Sequence, residues 1–378
     1  MAIIGRGGPG GVTLGPVHTD HPIIVIGCGG LGSAALAWLA DQAGEAVLGL
    51  EQFALGHDRG ASQDHSRIIR LAQHQDAYAD LAPAAYDAWH EIEAASGVQL
   101  VTETGGLVIE DVDVRDAART GTRNIAGYAD VLGRHGVDFE LLTADEVVAR
   151  WPQFRLSGRE RAVYQARSGI VDARRANATH ISLARSRGAT ILDDFPVLAV
   201  HPHRDHVEVV TAAERFRAER VVITADAWTN RLLAGLGRQL PLTVTQEQVT
   251  YYATPNLREF SPARFPVFMW HGAHNFYGFP VYGEVATKLG QHLGGPEVTA
   301  ETRTFVADPR RQARQRAFLA EHLPGFGGPE LYTKTCLYTI PPDQNFVLDT
   351  VPGHPHVSVA VGAGHAFKFA SLIGSILA

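Results

Sequence analysis
The sequence predicts an α/β (α+β mixed) protein. Its expected plan is a Rossmann-like dinucleotide-binding domain with an inserted domain on a mixed, largely antiparallel sheet. Three observations predict it. A glycine turn, Gly27-Cys28-Gly29-Gly30-Leu31-Gly32, stands between an apolar strand and a helical run. After Glu51 the regular alternation of strand and helix breaks. From Val249 to about Lys288 the pattern is strand-rich and aromatic.

The first unit is complete within thirty residues. Pro22-Ile23-Ile24-Val25-Ile26 is apolar throughout, as a parallel strand buried on both faces must be. The glycine turn follows at once, and Ser33 to Ala40 is a good helix former. Gly44 ends the helix, and Ala46 to Leu50 form a second strand closing on Glu51, 19 positions after the last glycine. In this βαβ unit Gly27 permits the tight turn, Gly29 and Gly30 with Leu31 bring backbone to a pyrophosphate, and Gly32 lets helix pack on strand. The helix N-terminus favours the phosphates, and Glu51 is placed to accept from a ribose hydroxyl.

Beyond Glu51 the order is irregular. Residues 58–75 read as a polar, Arg-rich loop, and Tyr78 to Ala94 as a helix. Gly105 to Ile109 is a strand, and Ala144 to Arg150 a helix stopped by Trp151-Pro152. Val207 to Val210 alternate, and Val221 to Thr224 form a buried strand ending in Ala225-Asp226-Ala227-Trp228. Arg310 to Leu323 is an amphipathic helix. Val357 to Val361 is the last buried strand, leading through Gly362 to Gly364 into a terminal helix. The expected division is a lead-in over 1–22 and a discontinuous dinucleotide domain from 23–85, 140–240 and 335–378. The second domain then comprises 86–139 and 241–334. A simple NAD dehydrogenase, with further consecutive βα repeats, does not fit.

Composition narrows the class. Of the 378 residues, 45% are hydrophobic and 19% charged, an ordinary globular balance. A net charge of −7, without a basic stripe, argues against nucleic acid. No apolar run approaches the roughly 18 residues of a membrane helix. Cys28 and Cys336 are the only cysteines, too few for a disulfide framework, so a cytoplasmic location is expected. No metal-ligand set is expected. Lysine is scarce: of 33 basic residues only Lys288, Lys334 and Lys368 are lysines. An ammonium is compact and changes its pKa on burial, unlike a guanidinium, so these positions stand out.

Six segments in order carry a resemblance: the glycine turn with Glu51, Ser66-Arg67-Ile68-Ile69-Arg70, Tyr277-Gly278-Phe279-Pro280, Lys288-Leu289-Gly290-Gln291-His292, Cys336-Leu337-Tyr338-Thr339, and Gly364-His365-Ala366-Phe367-Lys368-Phe369. From about Ile23 to the last residue the chain resembles the monomeric sarcosine oxidase and N-methyltryptophan oxidase group of the glycine/D-amino-acid oxidase superfamily. The resemblance implies FAD, carried by Cys336 through an 8α-thioether. It implies Lys288 above the flavin assisting oxygen reduction, Arg67 beside the ring, and His292 and His365 near substrate. Arg70 and Lys368 would grip the substrate carboxylate, with Tyr277 and Tyr338 lining the same pocket. Ser66, Val197, Ala225, Trp228, Gly362 and Gly364 would complete the cofactor contacts. Cys28 reads as packing and Lys334 as a solvated side chain.

The implied reaction is oxidation of a secondary or N-methyl amino acid by O2. Its products are H2O2 and an imine hydrolysed to formaldehyde and the primary amino acid. A cyclic imino acid such as pipecolate, or a dehydrogenase using another electron acceptor, are the rival expectations. A non-catalytic flavoprotein is a third. A monomer is expected. Asp226, Val361 and Gly362 depart from the family pattern, and relatives carry a further short tail beyond the position of Ala378.

Overall fold
A computed structural model describes residues 18–113 and 124–378. Its organising element is a six-stranded sheet ordered Thr190–Leu192, Val47–Leu50, Ile23–Ile26, Arg220–Ile223, His354–Val361 and Val347–Val351. The first five strands are parallel and the last pairs antiparallel. Ile24, Val25, Leu48, Ile223 and Val357 are almost fully buried. That double-faced burial is what continuous Val/Ile/Leu runs encode. The helix Gly30–Ala43 follows the glycine turn and ends at Gly44, whose positive φ of 53° suits a residue without Cβ.

The second large sheet has eight strands: Glu330–Ile340, Thr243–Tyr252, Thr287–Gln291, Phe276–Phe279, Val267–His271, Gly106–Asp111, Glu160–Gln165 and Glu140–Thr143. All neighbours are antiparallel except Val267–His271 against Gly106–Asp111. The mixed, largely antiparallel sheet is therefore present. One face packs on an aromatic cluster of Trp151, Phe154, Phe260, Phe265, Phe268, Phe318 and Phe326. Helix Pro309–His322 contributes Phe318 and Leu319 to it, as its amphipathic pattern required.

Two smaller sheets were not legible. Ser66–Ile69 lies within the expected loop 58–75 and pairs with Gly169–Asp172, which also pairs with Val101–Glu103. A short strand whose partner is a hundred residues away leaves no local signature. His18–Asp20 pairs in parallel with Arg215–Ala218 and belongs to a four-stranded sheet. The end of the expected lead-in is thus strand; the rest of it lies outside the described residues. Glu140–Thr143 and Glu160–Gln165, assigned above to the dinucleotide segments, hydrogen-bond into the eight-stranded sheet. Glu160–Gln165 pairs with Gly106–Asp111 and Glu140–Thr143 pairs in turn with Glu160–Gln165, so strand pairing decides that membership, not place in the chain.

Candidate active site
The carboxyl ends of the parallel strands, where open α/β sheets bind ligands, open into a cavity of about 1490 Å3. This exceeds the roughly 300–1,000 Å3 of ordinary small-molecule sites, and it runs without interruption from Gly27 to Lys368.

At one end is the turn. Gly27 (φ +92°) lies so near the neighbouring strand that a Cβ would sit 2.8 Å from the Thr224 carbonyl oxygen. A Cβ on Gly32 would meet the Gly27 oxygen at 1.7 Å, so its work is helix–strand contact. Gly32 is the one expected cofactor residue that does not line the cavity. Gly30 donates its amide to Ser62 Oγ at 2.8 Å, and a Cβ there would crowd the Phe367 ring. Glu51 is buried and braces the turn itself. Oε2 accepts from the Cys28 amide (2.8 Å), and Oε1 accepts from the Phe53 amide (3.1 Å) and faces His57 Nε2 (3.3 Å). Val197, Ala225, Trp228, Gly362 and Gly364 line the same space. Cys28 packs behind the turn, its thiol pushed far up by burial.

Strand Ser66–Ile69 carries Arg67 and leads into Arg70. Arg67 spends its guanidinium on backbone, donating to the carbonyls of Ser66 (2.9 Å), Ala61 (2.8 Å) and Gln63 (2.5 Å). The polar loop 58–65 is thereby wrapped around one cation. Lys288, 2% exposed, sits 2.6 Å from Asp64 Oδ2 and donates to Ser66 O and Oγ. Its ammonium is 4.7 Å from the centroid of the Phe279 ring. Burial lowers the lysine to about 8 even though Asp64 pulls the other way. Asp64 opposes its own burial through Lys288 and Arg67 and stays well below the usual carboxylate range. Tyr251 also donates to Asp64. Neither Asp64 nor Tyr251 was visible in the sequence as a site residue. The adjacent Arg67 motif marked the neighbourhood, but nothing local joins 64 to 251 and 288.

Arg70 and Lys368 converge. Lys368 is buried and donates to the His365 carbonyl at 2.6 Å; burial, then Arg70, holds it well below the ordinary lysine range. Arg70 donates to the Ala72 carbonyl and lies 5.5 Å from the Tyr128 ring centroid. Among the described residues neither cation has a carboxylate partner. His365 is driven well below its usual value by burial, Lys368, His292 and Arg70, and its Nε2 lies 3.0 Å from Gln344 O. His292 faces Tyr338, with ring centroids 5.9 Å apart. Burial raises the phenols of Tyr277 and Tyr338, which also interact with each other. Gly364 has φ +73°, and a Cβ there would strike the Tyr338 ring at 2.5 Å.

Cys336, on strand Glu330–Ile340, lines the cavity beside these groups. Burial pushes its thiol up to about 11, although Arg67, Lys288 and Arg303 draw it down. Lys334 is not a free solvated side chain: it lines the cavity with its ammonium 5.1 Å from the Tyr332 ring centroid. Asp226 adopts φ +46°, a conformation that suits glycine, and burial raises its carboxyl to about 6.

A parallel sheet with a glycine cradle, joined through one cavity to a cation-rich pocket on a second sheet, defines a flavin-dependent oxidoreductase. The model of the FAD dependent oxidoreductase family matches residues 22–378. The chain belongs to that family. It is 30% identical over 367 residues to a monomeric sarcosine oxidase of Bacillus sp. (strain NS-129), covering 96% of this chain and 93% of the relative. An N-methyl-L-tryptophan oxidase of Yersinia pestis is 31% identical, covering 95% and 94%. Among solved structures, the open form of a Tyr258Phe mutant of NikD, an amino acid oxidase of nikkomycin biosynthesis, superposes with TM-score 0.85. It is 26% identical and covers 95% of this chain and 92% of that one. The resemblance read from six sequence segments is borne out. Among the described residues no helix is long and apolar enough to cross a membrane.

Proposed function
We propose that this protein oxidises the C–N bond of a secondary or N-methyl amino acid with O2, releasing H2O2 and an imine that hydrolyses to an aldehyde and a primary amine. The observation that carries the reading is the pair Arg70 and Lys368, two cations in the cavity without a carboxylate of their own among the described residues. A substrate carboxylate supplies the missing charge, and two converging donors fix its orientation.

The residues fit FAD: close-packed glycines leave room only for backbone beneath a phosphate, and the cavity exceeds what substrate alone would need. When bound, the flavin supplies a two-electron acceptor for the carbon beside the amine and a donor to oxygen. Gly27 to Leu31 would hold the pyrophosphate, Glu51 the ribose, and Cys336 the reactive ring through its sulfur. Lys288 places a buried positive charge where negative charge develops on oxygen. Asp64 and Ser66 keep that ammonium in place. Tyr277, Tyr338, His292 and His365 enclose the amine and keep water from it.

The test is a screen of the purified chain against N-methyl amino acids, reading peroxide and formaldehyde together. Both products on sarcosine or a relative support the reading. Peroxide without formaldehyde on pipecolate moves the substrate to a cyclic imino acid, and anaerobic reduction without reoxidation by air excludes the oxidase.

A further inference from the structure
Tyr251 has no part in the reaction just described, yet it is fully buried and its hydroxyl donates to Asp64 Oδ1. The other oxygen of that carboxylate, Oδ2, lies 2.6 Å from the Lys288 ammonium. One carboxylate therefore serves a phenol and a lysine at once. Tyr251 also stands directly opposite Lys288 in the register of strands Thr243–Tyr252 and Thr287–Gln291. The ammonium is 5.7 Å from the centroid of the Tyr251 ring, so the three side chains close on one another. Asp64 holds φ +86°, a left-handed backbone that a residue with a Cβ rarely adopts. Its carbonyl is fixed by the Arg174 amide at 3.0 Å. Backbone strain of this kind collects where a site needs a side chain in one place. Here the strained residue is the one whose carboxylate reaches both Tyr251 and Lys288.

We propose that Tyr251 is a positioning residue for Lys288: its hydroxyl holds the Asp64 carboxylate, shares it with the ammonium, and so sets the pH range in which the lysine stays cationic. This rests on the reading that Lys288 serves oxygen. Two donors on one carboxylate compete for its charge. The phenol stabilises the carboxylate by hydrogen bonding and weakens its pull on the neighbouring cation. Without the hydroxyl the carboxylate turns its charge on the remaining partner, and the lysine keeps its proton to higher pH.

The other groups around the ammonium leave Asp64 as its one close countercharge among the described residues. Arg67, on strand Ser66–Ile69, opposes the ammonium and is a guanidinium, charged throughout. Cys336, on Glu330–Ile340, has its thiol pushed up to about 11 by burial. Tyr332, on the same strand, packs on Tyr251 with ring centroids 4.8 Å apart, and burial keeps both phenols neutral. Glu247, on the strand of Tyr251, pairs with Arg311 at 2.5 Å. His65, next to Asp64, faces Glu284 at 3.3 Å. Asp64 and Lys288 line the cavity whereas Tyr251 does not, so its hydroxyl can be removed without altering a cavity wall.

The chain has three lysines, so lysine labelled with 13C at Cε gives three NMR signals, and the one missing from Lys288→Met belongs to Lys288. Its titration is followed in the full-length holoenzyme. Tyr251→Phe removes one hydroxyl and should raise the midpoint from about 8 by about one unit, a tenfold change within the reach of one hydrogen bond to a charged group. Replacing Tyr251 with 3-fluorotyrosine keeps the ring and strengthens the donor, and should lower the midpoint. An unchanged or lowered midpoint in Tyr251→Phe overturns the proposal, as does a fluorotyrosine chain that titrates above the wild type. A packing role predicts no shift in either. Flavin reoxidation gives a second readout: the pH at which its rate falls should move up by the same unit in Tyr251→Phe. A reoxidation rate indifferent to Lys288→Met overturns the oxygen reading, while the lysine signal still decides the role of Tyr251.

Discussion
Lys288 and Lys368 face one cavity, and the chain treats them differently. Lys288 comes from the eight-stranded sheet with its countercharge supplied internally by Asp64, 2.6 Å away. Lys368 comes from the segment after the last parallel strand; its ammonium donates to the His365 carbonyl, lies 5.1 Å from the Phe369 ring centroid and is repelled by Arg70, with no carboxylate partner among the described residues. The first cation is held by the protein's own groups, Asp64 and Ser66. The second is electrostatically incomplete until an anion arrives. In the function proposed above, the first lysine faces oxygen, which carries no charge before it is reduced, and the second faces the substrate carboxylate.

The largest expected effect tests the internal pairing. Asp64→Asn leaves Lys288 buried without its anion and should cost about 3–5 kcal/mol of stability, read as a lowered denaturant midpoint. An unchanged midpoint would show that the Ser66 contacts suffice. Next, Lys288→Met should slow flavin reoxidation by about 10²–10³-fold, the range for losing one preorganised electrostatic group, with little change in anaerobic reduction. Stopped-flow measurement of both half-reactions decides it, and equal slowing of the two would break the assignment.

Lys368→Met should lower kcat/KM by about 10–150-fold, the equivalent of one charge-assisted hydrogen bond at about 1.5–3 kcal/mol. Most of the loss should fall on KM, and an amine substrate lacking a carboxylate should be indifferent to the change. The smallest effect is in pH. Lys288 titrates at about 8 in the folded chain and at about 10.4 when unfolded. Between those values the unfolded chain binds more protons, so this group makes stability rise with pH across that window. Its positive charge is lost over the same window, so reoxidation should fall by up to tenfold per pH unit above about 8. A rate flat to pH 10 would contradict it.

Much of this was readable from the chain. Apolar run, glycine turn, helix, second strand and acid are all local, and the backbone geometry they require is local too. The expected helix Ala144–Arg150 matches its observed limits because Thr143 and Glu146 form a capping box and Pro152 follows. The scarcity of lysine marked two buried ammonium groups correctly, since Lys288 and Lys368 are both buried. It also left Lys334 as a solvated side chain, because a cation resting on an aromatic face has no sequence signature. Strand Ser66–Ile69 was missed for a related reason. Four residues inside an expected Arg-rich loop become a strand through pairing with Gly169–Asp172.

The sequence by itself determined the glycine turn and its βαβ unit, the two sheet types and part of the cavity lining, since each depends on short-range pattern or on an ordered set of motifs. Tertiary structure alone decided the electrostatics. Asp64 meets Lys288 and Tyr251, Arg70 meets Lys368, and Arg303 meets Thr335, each across tens to hundreds of residues. The physical reason is that a charge's energy depends on its burial and its nearest counterion. Both are properties of the packed chain, so a lysine's letter cannot say whether its anion comes from the protein or from what the protein binds.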